Sequence, residues 1–402
     1  MWERSGIGNA GQLRMINRML VQLLSLSLVL VCFSPILFFV PSSHAQPVLK
    51  RLPAHQIPPL VDDLDRQSLQ AVLRQSMAAL KHKPGTQTVA FGRKRISIDR
   101  LRDSLTAFLA LLNQTGDWTA TLQRDFDLYR ATAPVLFTGY HEPELRGSFI
   151  RTVRYRYPVY RRPTNLVEVD AAQFASRPFE EKVYGRVANG KLVPYFSRAQ
   201  IDGQGILARQ YKELVWLDSP IERFFLHIQG SGKIRLPDGT WFRIGYAASN
   251  GWPYRSIGKR LLKQGKLGPG EASAQAIRRY LRRHPTERDQ ILFHNPRYIF
   301  FRVVSEGPLG SLGVALTPGR SIATDPGWYP PGAVGFIVTK KPQLNGNEQV
   351  SWQSFSRFVS LQDRGAAITG PGRADIYWGS GPQPEAGLMA QNGELYLFLK
   401  KL

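Results

Sequence analysis

Three aspartates hold the chemistry this sequence can offer. Asp325 lies in SIATDPGWYPPG, Asp363 opens DRGAAITG and Asp375 opens DIYWG. Each stands at the end of a strand-like run, beside glycine or proline and an aromatic residue. Taken singly, an aspartate in such a place is an ordinary Asx-turn former. Taken together they suit a sugar groove, where aromatic faces stack on pyranose rings and glycines let a ligand approach the backbone. A carboxyl lodged among apolar groups is pushed toward its protonated form and can serve as a general acid. From Asp363 to Gly381 there is no histidine, cysteine or lysine. Chemistry in that stretch must be what one or two carboxylates do unaided.

Other chemistries find less support. QGSGK (Gln229, Gly230, Ser231, Gly232, Lys233) resembles a phosphate-cradling loop, but a P-loop lysine is followed by Ser or Thr at a helix start. Here Ile-Arg-Leu-Pro-Asp-Gly follows, a strand and a turn. The stretch instead reads as one where backbone comes close to a ligand or to another strand. The histidines (His44, His55, His82, His141, His227, His284, His294) are scattered, with no pair at i, i+4 around a glutamate. No G-x-S-x-G elbow is present, and the single cysteine excludes an internal disulfide or a cysteine-based metal cluster. No metal and no cofactor is expected.

The chain has 402 residues, 43% of them apolar, enough for a sizeable core in two or three domains. Lys and Arg number 53 against 30 Asp and Glu, a formal charge of +23. That balance fits either a basic solvated surface or a polyanionic partner: nucleic acid, anionic lipid or an acidic wall polymer. The N-terminus narrows the choice. Arg14 and Arg18 precede LVQLLSLSLVLVCFSPILFFV, then PSSHAQ, with Ser43 and Ala45 at the −3 and −1 positions. This order reads as a secretory signal cleaved before Gln46. The apolar run of about twenty residues can also span a bilayer if it is retained. Cys32 follows Val31, where a lipoprotein signal has a small residue, so a lipid anchor is not expected. Export argues against a genomic nucleic-acid role and for an envelope polymer.

The elements that must hold the aspartates follow from periodicity. Residues 46–62 are proline-rich and read as a linker. Helical spacing runs from Asp65 to about Lys81, from Ile98 to about Asn113 and from Thr119 to about Tyr129. After Pro134 the texture becomes strand and turn: VLFTGYHEPEL, RYRYPVYR, KVYGRV, KELVWL, RFFLHIQ and TWFRIGYAA. Helical spacing returns over 253–294, with Gly265 as a C-cap. Strands then resume in RYIFFRVV, GSLGVAL, AVGFIVTK, VSWQSFSRFVSLQ, ADIYWG and ELYLFLK. The order is not a βαβ alternation, which disfavours a doubly wound sheet. β-Barrel domains with packed helices are expected.

The motifs are similar to those of the membrane-bound lytic murein transglycosylase A family, with its three-aspartate C-terminal domain. Asp325 with Pro330-Pro331-Gly332, then Asp363 to Gly370, then Asp375-Ile376-Tyr377 resemble its three aspartate segments. FTGYHEPE (137–144), LHIQGSGKIRLPDGT (226–240) and NGWPYRSIGKRLL (250–262) resemble its upstream segments, so the resemblance covers roughly residues 130–402. Ala366, Thr369 and His141 depart from the family pattern without touching the aspartates. The resemblance implies a double-psi β-barrel domain interrupted by a second, smaller β-barrel domain, with a peptidoglycan groove between them. With the signal over 1–45 and the linker over 46–62, this gives a first part of the double-psi domain with N-terminal helices over 63–145, an inserted domain over 146–296 and the second barrel part over 297–402.

The implied activity is cleavage of the MurNAc-GlcNAc β-1,4 bond with formation of 1,6-anhydro-MurNAc ends, with Asp375 as the acid and base. Asp363 and Asp325 would support it. Thr138, Gly139, Tyr140, Gln229, Gly230, Ser231, Gly232, Tyr254 and Tyr377 would bind the glycan. The expected partner is peptidoglycan, with no nucleic acid; the protein is expected as an exported monomer of the periplasm or envelope. Membrane association is expected only through an uncleaved N-terminal segment. The competing reading is a non-catalytic wall-binding or wall-loosening double-psi barrel.

Overall fold

The computed structural model describes residues 48–114, 118–170, 182–208, 210, 212–268, 273–344, 350–381 and 387–402. The expected signal sequence lies outside these. In chain order come strand β1 (Leu49–Arg51), helix α1 (Arg66–Lys81), a hairpin of β2 (Thr88–Phe91) and β3 (Lys94–Ser97), α2 (Ile98–Leu111), α3 (Thr119–Asp125), β4 (Phe126–Ala131) and β5 (Val135–Glu142). Next are β6 (Glu144–Ser148), β7 (Tyr157–Tyr160), β8 (Val167–Asp170), β9 (Lys182–Ala188), β10 (Lys191–Pro194) and β11 (Glu213–Leu217). They lead into α4 (Pro220–Gln229), β12 (Ser231–Arg235), β13 (Trp241–Ser249), α5 (Ile257–Lys263), α6 (Ala274–Arg283), α7 (Pro285–Phe293) and β14 (Ile299–Val304). The chain ends with β15 (Ser321–Thr324), β16 (Val334–Leu344), β17 (Val350–Asp363), β18 (Arg373–Ser380) and β19 (Ala390–Lys400).

Six of these strands close on themselves. β19, β16, β17, β15, β18 and β5 pair in that order, and β5 returns to β19; β4 and β1 extend the sheet beyond β19. The closed barrel contains two parallel pairings, β15 with β17 and β18 with β5, and matches the double-psi barrel that was expected. Closure removes the free edges an open sheet would leave. Val135, Phe137, Ile322, Ala374, Ile376 and Leu397 fill its interior. A second sheet runs β14-β13-β12-β6-β11-β7, and a bridge from Arg161 to Phe301 brings its two edges together. Leu145, Val215, Ile234 and Ile244 fill it. The mainly-β reading with added helices and two barrels therefore holds.

The N-terminal segment is fastened rather than loose. β1, inside the stretch read as a linker, pairs with β4. Arg320, fully buried, binds Asp62 through Nη1 at 2.8 and 2.9 Å and donates to the Asp65 and Phe358 carbonyls. Asp65 caps α1, its Oδ1 accepting from the Ser68 amide at 2.7 Å. Leu69, Val72, Leu73 and Leu80 then form the buried stripe of that helix.

Several sequence-based assignments change. RFFLHIQ is helix, not strand: Ser219 caps α4, Pro220 occupies its first turn, and Gly230 ends it at φ 79°. The helix expected over Thr119–Tyr129 stops at Asp125, and the chain continues as β4, paired with β19. The expected strand GSLGVAL is a turn, with the Gly313 amide bonded to Gly310 O. Its Leu312 amide reaches Gln362 O and caps the end of β17. The N-terminal part is not purely helical, since it holds the β2–β3 hairpin.

Candidate active site

Strand pairing brings two of the aspartates into one row. Asp375 on β18 pairs with Ala323 on β15 on one side and with Thr138 on β5 on the other. Ala323 pairs in turn with Asp363 at the end of β17. Directly opposed residues share a face of a sheet, and neighbours along a strand alternate. Ala374 and Ile376 point into the barrel, so Asp375 and Tyr377 point out of it. Phe137 points in and Thr138, Tyr140 and Glu142 point out. The outward face therefore carries the row Asp363–Ala323–Asp375–Thr138, with Tyr377 paired to Tyr140 beside it. The small Ala323 leaves space between the two carboxyls, which stand two strand spacings, about 10 Å, apart along the backbone.

The two carboxyls of the row are held differently. Asp363 Oδ2 accepts from the Tyr140 hydroxyl at 2.8 Å, and Oδ1 accepts from the amides of Ser311 (2.8 Å) and Arg364 (2.9 Å). Burial raises its pKa, and these donors oppose the rise. Asp375 Oδ1 is buried with no hydrogen-bond partner. Burial pushes its pKa up to about 7, against the pull of the Thr138 hydroxyl and the Arg373 charge, with Asp363 adding to the rise. One carboxyl is committed to donors; the other keeps a proton near neutrality.

The tyrosines make a wall beside this row. Tyr140 and Tyr377 lie 5.4 Å apart between ring centroids at 50°. Burial raises both phenol pKa values, that of Tyr377 to about 12, so both remain hydroxyls. Ser380 Oγ stands 3.2 Å from the Tyr377 hydroxyl and donates to Glu142 Oε2 at 2.5 Å. Arg243 Nε, from β13 of the second barrel, reaches the same Oε2 at 3.3 Å. Glu142, Ser380 and Arg243 were not singled out from sequence. Glu142 nevertheless lies within FTGYHEPE with the parity of Thr138 and Tyr140, a signal period-2 alternation supplies.

The remaining expected residues fall elsewhere. Asp325 Oδ1 accepts from the Gly327 amide at 2.9 Å and Oδ2 from the Gly370 amide at 2.6 Å. It thus ties its own turn to the turn that feeds β18, and it is not part of the row. Gln229 ends α4 with Oε1 buried and without a partner. Gly230 is the helix cap. Gly232 lets β12 pack close, since a Cβ there would lie 2.8 Å from Leu226 Cδ1. Ser231 is buried where β12 starts. Tyr254 lines a separate cavity of about 250 Å³ with Phe224, Phe225, Ile257 and Ile277, among the helices of the second barrel. Gly139 lies between Thr138 and Tyr140, paired to Ile376.

Residues 136–302 match the family described as the MltA specific insert domain, and residues 320–399 match the 3D domain. A curated relative, membrane-bound lytic murein transglycosylase A of Escherichia coli K12, is 32% identical over 252 residues, 62% of this chain and 60% of the relative. The chain therefore carries an MltA specific insert domain followed by a 3D domain. Its match thus spans about three-fifths of that curated relative. The crystal structure of a membrane-bound lytic murein transglycosylase from Agrobacterium tumefaciens has a TM-score of 0.75 at 29% identity, covering 88% of this chain and 97% of that one. E. coli MltA with bound chitohexaose has a TM-score of 0.67 at 25% identity, covering 89% and 95%. The insert match spans β5 to β14 and so includes the Thr138–Tyr140 side of the row. The 3D match holds the aspartates.

Proposed function

We propose that this protein is a peptidoglycan lytic transglycosylase in which Asp375 alone moves the proton. The observation that carries the reading is the desolvated Asp375 carboxyl, its Oδ1 without a hydrogen-bond partner and its pKa pushed up to about 7, in an outward-facing row beside two tyrosine rings. Neutral Asp375 gives its proton to the glycosidic oxygen of the MurNAc-GlcNAc β-1,4 bond. The bond from that oxygen to the muramyl C1 breaks, and the GlcNAc end leaves as an alcohol. The Asp375 carboxylate then takes the proton of the muramyl C6 hydroxyl as O6 bonds to C1, closing the 1,6-anhydro ring. No water is consumed, and Asp375 ends protonated.

One carboxyl suffices because the substrate supplies its own nucleophile at high effective concentration. Hydrolysis would need a second free carboxylate, as base or as nucleophile. The nearest in the row, Asp363, already accepts three hydrogen bonds. In this reading Asp363 fixes Tyr140 and eases the cationic transition state, while Asp325 holds the loops around β18. Thr138, Gly139, Tyr140 and Tyr377 line the sugar-binding face. Gln229 to Gly232 and Tyr254 stand apart from this face, at the α4–β12 junction and in the separate cavity. The chitohexaose named with the E. coli relative, an N-acetylglucosamine oligomer, supports a glycan in such a groove. The excess of basic residues suits the carboxylates of peptidoglycan stem peptides, and an exported, envelope location follows from that substrate.

The test incubates the protein with purified sacculi and weighs the soluble muropeptides by mass spectrometry. Anhydro ends are expected. Reducing ends would mean hydrolysis, and release of nothing would leave a wall-binding protein; either result sinks the reading.

A further inference from the structure

We propose that the outer end of the second barrel docks on an anionic lipid surface, with the tip of the 149–156 loop entering the headgroup layer. The proposal does not depend on the activity above. β6 leads away from the junction with the first barrel at Glu142 and, after roughly 13 Å at about 3.3 Å per residue, delivers the chain into this loop. There Phe149 is 60%, Ile150 73% and Val153 91% exposed. These apolar side chains are held out by a defined turn. The Thr152 amide donates to Tyr155 O and the Tyr155 amide to Thr152 Oγ1, both at 3.0 Å. The Ile150 amide donates to Ser148 Oγ at 3.1 Å, and the Phe149 ring stacks on Phe242 at 5.1 Å. A fixed turn that presents Ile and Val to water gains nothing within the fold.

The charge around the tip is mostly positive. Arg146, Arg151, Arg154 and Arg156 fall between residues 146 and 156, and that stretch contains no acidic residue. Asp218 offsets part of this, 3.3 Å from Arg146 and 3.7 Å from Arg154. On neighbouring strands Arg146, Arg235 and Trp241 stand in register, and Trp241 is 56% exposed. Apolar tips, a tryptophan and arginines in one zone are the composition of an interfacial docking surface. A glycan rewards aromatic faces and hydrogen bonds but not aliphatic side chains, so Ile150 and Val153 favour lipid over a wall polymer. Lipid phosphates would meet the arginine forks.

The experiment uses residues 46–402, which form one compact unit and contain every apolar cluster described. This removes the apolar N-terminal run from the measurement. Sedimentation with vesicles of phosphatidylglycerol and phosphatidylethanolamine is compared with vesicles of phosphatidylcholine alone. Binding to the anionic vesicles is expected, falling as salt rises to about 0.5 M. The double variant Ile150→Asp, Val153→Asp should bind at least about tenfold more weakly with an unchanged melting temperature. The apolar exchange Ile150→Leu, Val153→Ile should retain binding. Absence of binding to anionic vesicles, or equal binding by the aspartate variant, overturns the proposal. Loss of sacculus binding by that variant, with no vesicle binding by either form, also overturns it and assigns the loop to the wall.

Discussion

Beside the second barrel, Asp202 has 5% of its side chain exposed and lies between two buried arginines. Arg223 Nη2 is 3.0 Å away and Arg198 Nη1 3.5 Å, and the Tyr298 hydroxyl donates at 3.2 Å. On the first barrel Asp375 meets no such pairing: one oxygen has no partner, and desolvation outweighs the help from Thr138 and Arg373. Both sites withdraw a carboxyl from water, but only one surrounds it with cations. A carboxylate enclosed by cations is a structural ion whose loss strands the cations. A carboxyl whose desolvation outweighs its few partners holds its proton up to neutral pH and can transfer it. The contrast also explains His227, whose Nδ1 lies 3.0 Å from Arg198 Nη1. Burial, and then the charges of Arg198 and Arg223, hold its pKa well below the usual range, so it adds no further positive charge.

Two substitutions, read by three measurements, can break this contrast. The largest effect belongs to Asp375→Asn, which should lower the release of anhydro-muropeptides about a thousandfold while sacculus binding persists. Retained turnover would remove Asp375 from the chemistry. Next is Asp202→Ala. It leaves two buried guanidinium groups uncompensated and should cost about 3–5 kcal/mol in urea unfolding, with unchanged products from the folded fraction. A cost under about 1 kcal/mol would show that water already screens the cluster.

The smallest effect is on stability, and its sign is opposite to that of Asp202→Ala. A carboxyl whose folded pKa is raised from 3.8 to about 7 costs nothing below about pH 4, where both states are protonated. The cost grows as the unfolded chain ionises and is complete above about pH 7. Its ceiling is about 4 kcal/mol, at about 1.4 kcal/mol per pKa unit, and partial access of water lowers it. Asp375→Asn should therefore melt higher than the parent at pH 8 and at the same temperature near pH 3. Equal melting at both pH values would mean that the carboxyl is not desolvated.

Much of the first barrel was readable because its strands alternate. VLFTGYHE and RADIYWG each separate inward apolar residues from outward polar ones, so Tyr140, Asp375 and Tyr377 could be placed on one kind of face. Their mutual register could not be read. Tyr140 and Asp363 are 223 residues apart, and nothing local records which strands become neighbours. Helix α4 was missed because Phe224, Phe225, Leu226 and His227 are buried consecutively, which hides a 3.6-residue period. The Ser219-Pro220 start was the available signal. The difference between Asp363 and Asp375 was equally invisible, since it depends on the Ser311 amide and the Tyr140 hydroxyl arriving from distant segments.

The closure of the first barrel has a consequence for how the chain is made. β5 leaves the ribosome early, yet both of its neighbours, β18 and β19, are among the last segments synthesised. Until they arrive, the edge that carries Thr138 and Tyr140 stays open to wrong partners, while the second barrel already has all its strands. The insert should therefore fold first and serve as a scaffold on which the nascent β5 waits. Truncation within the last strand would then leave a folded second barrel beside an unclosed, aggregation-prone first one.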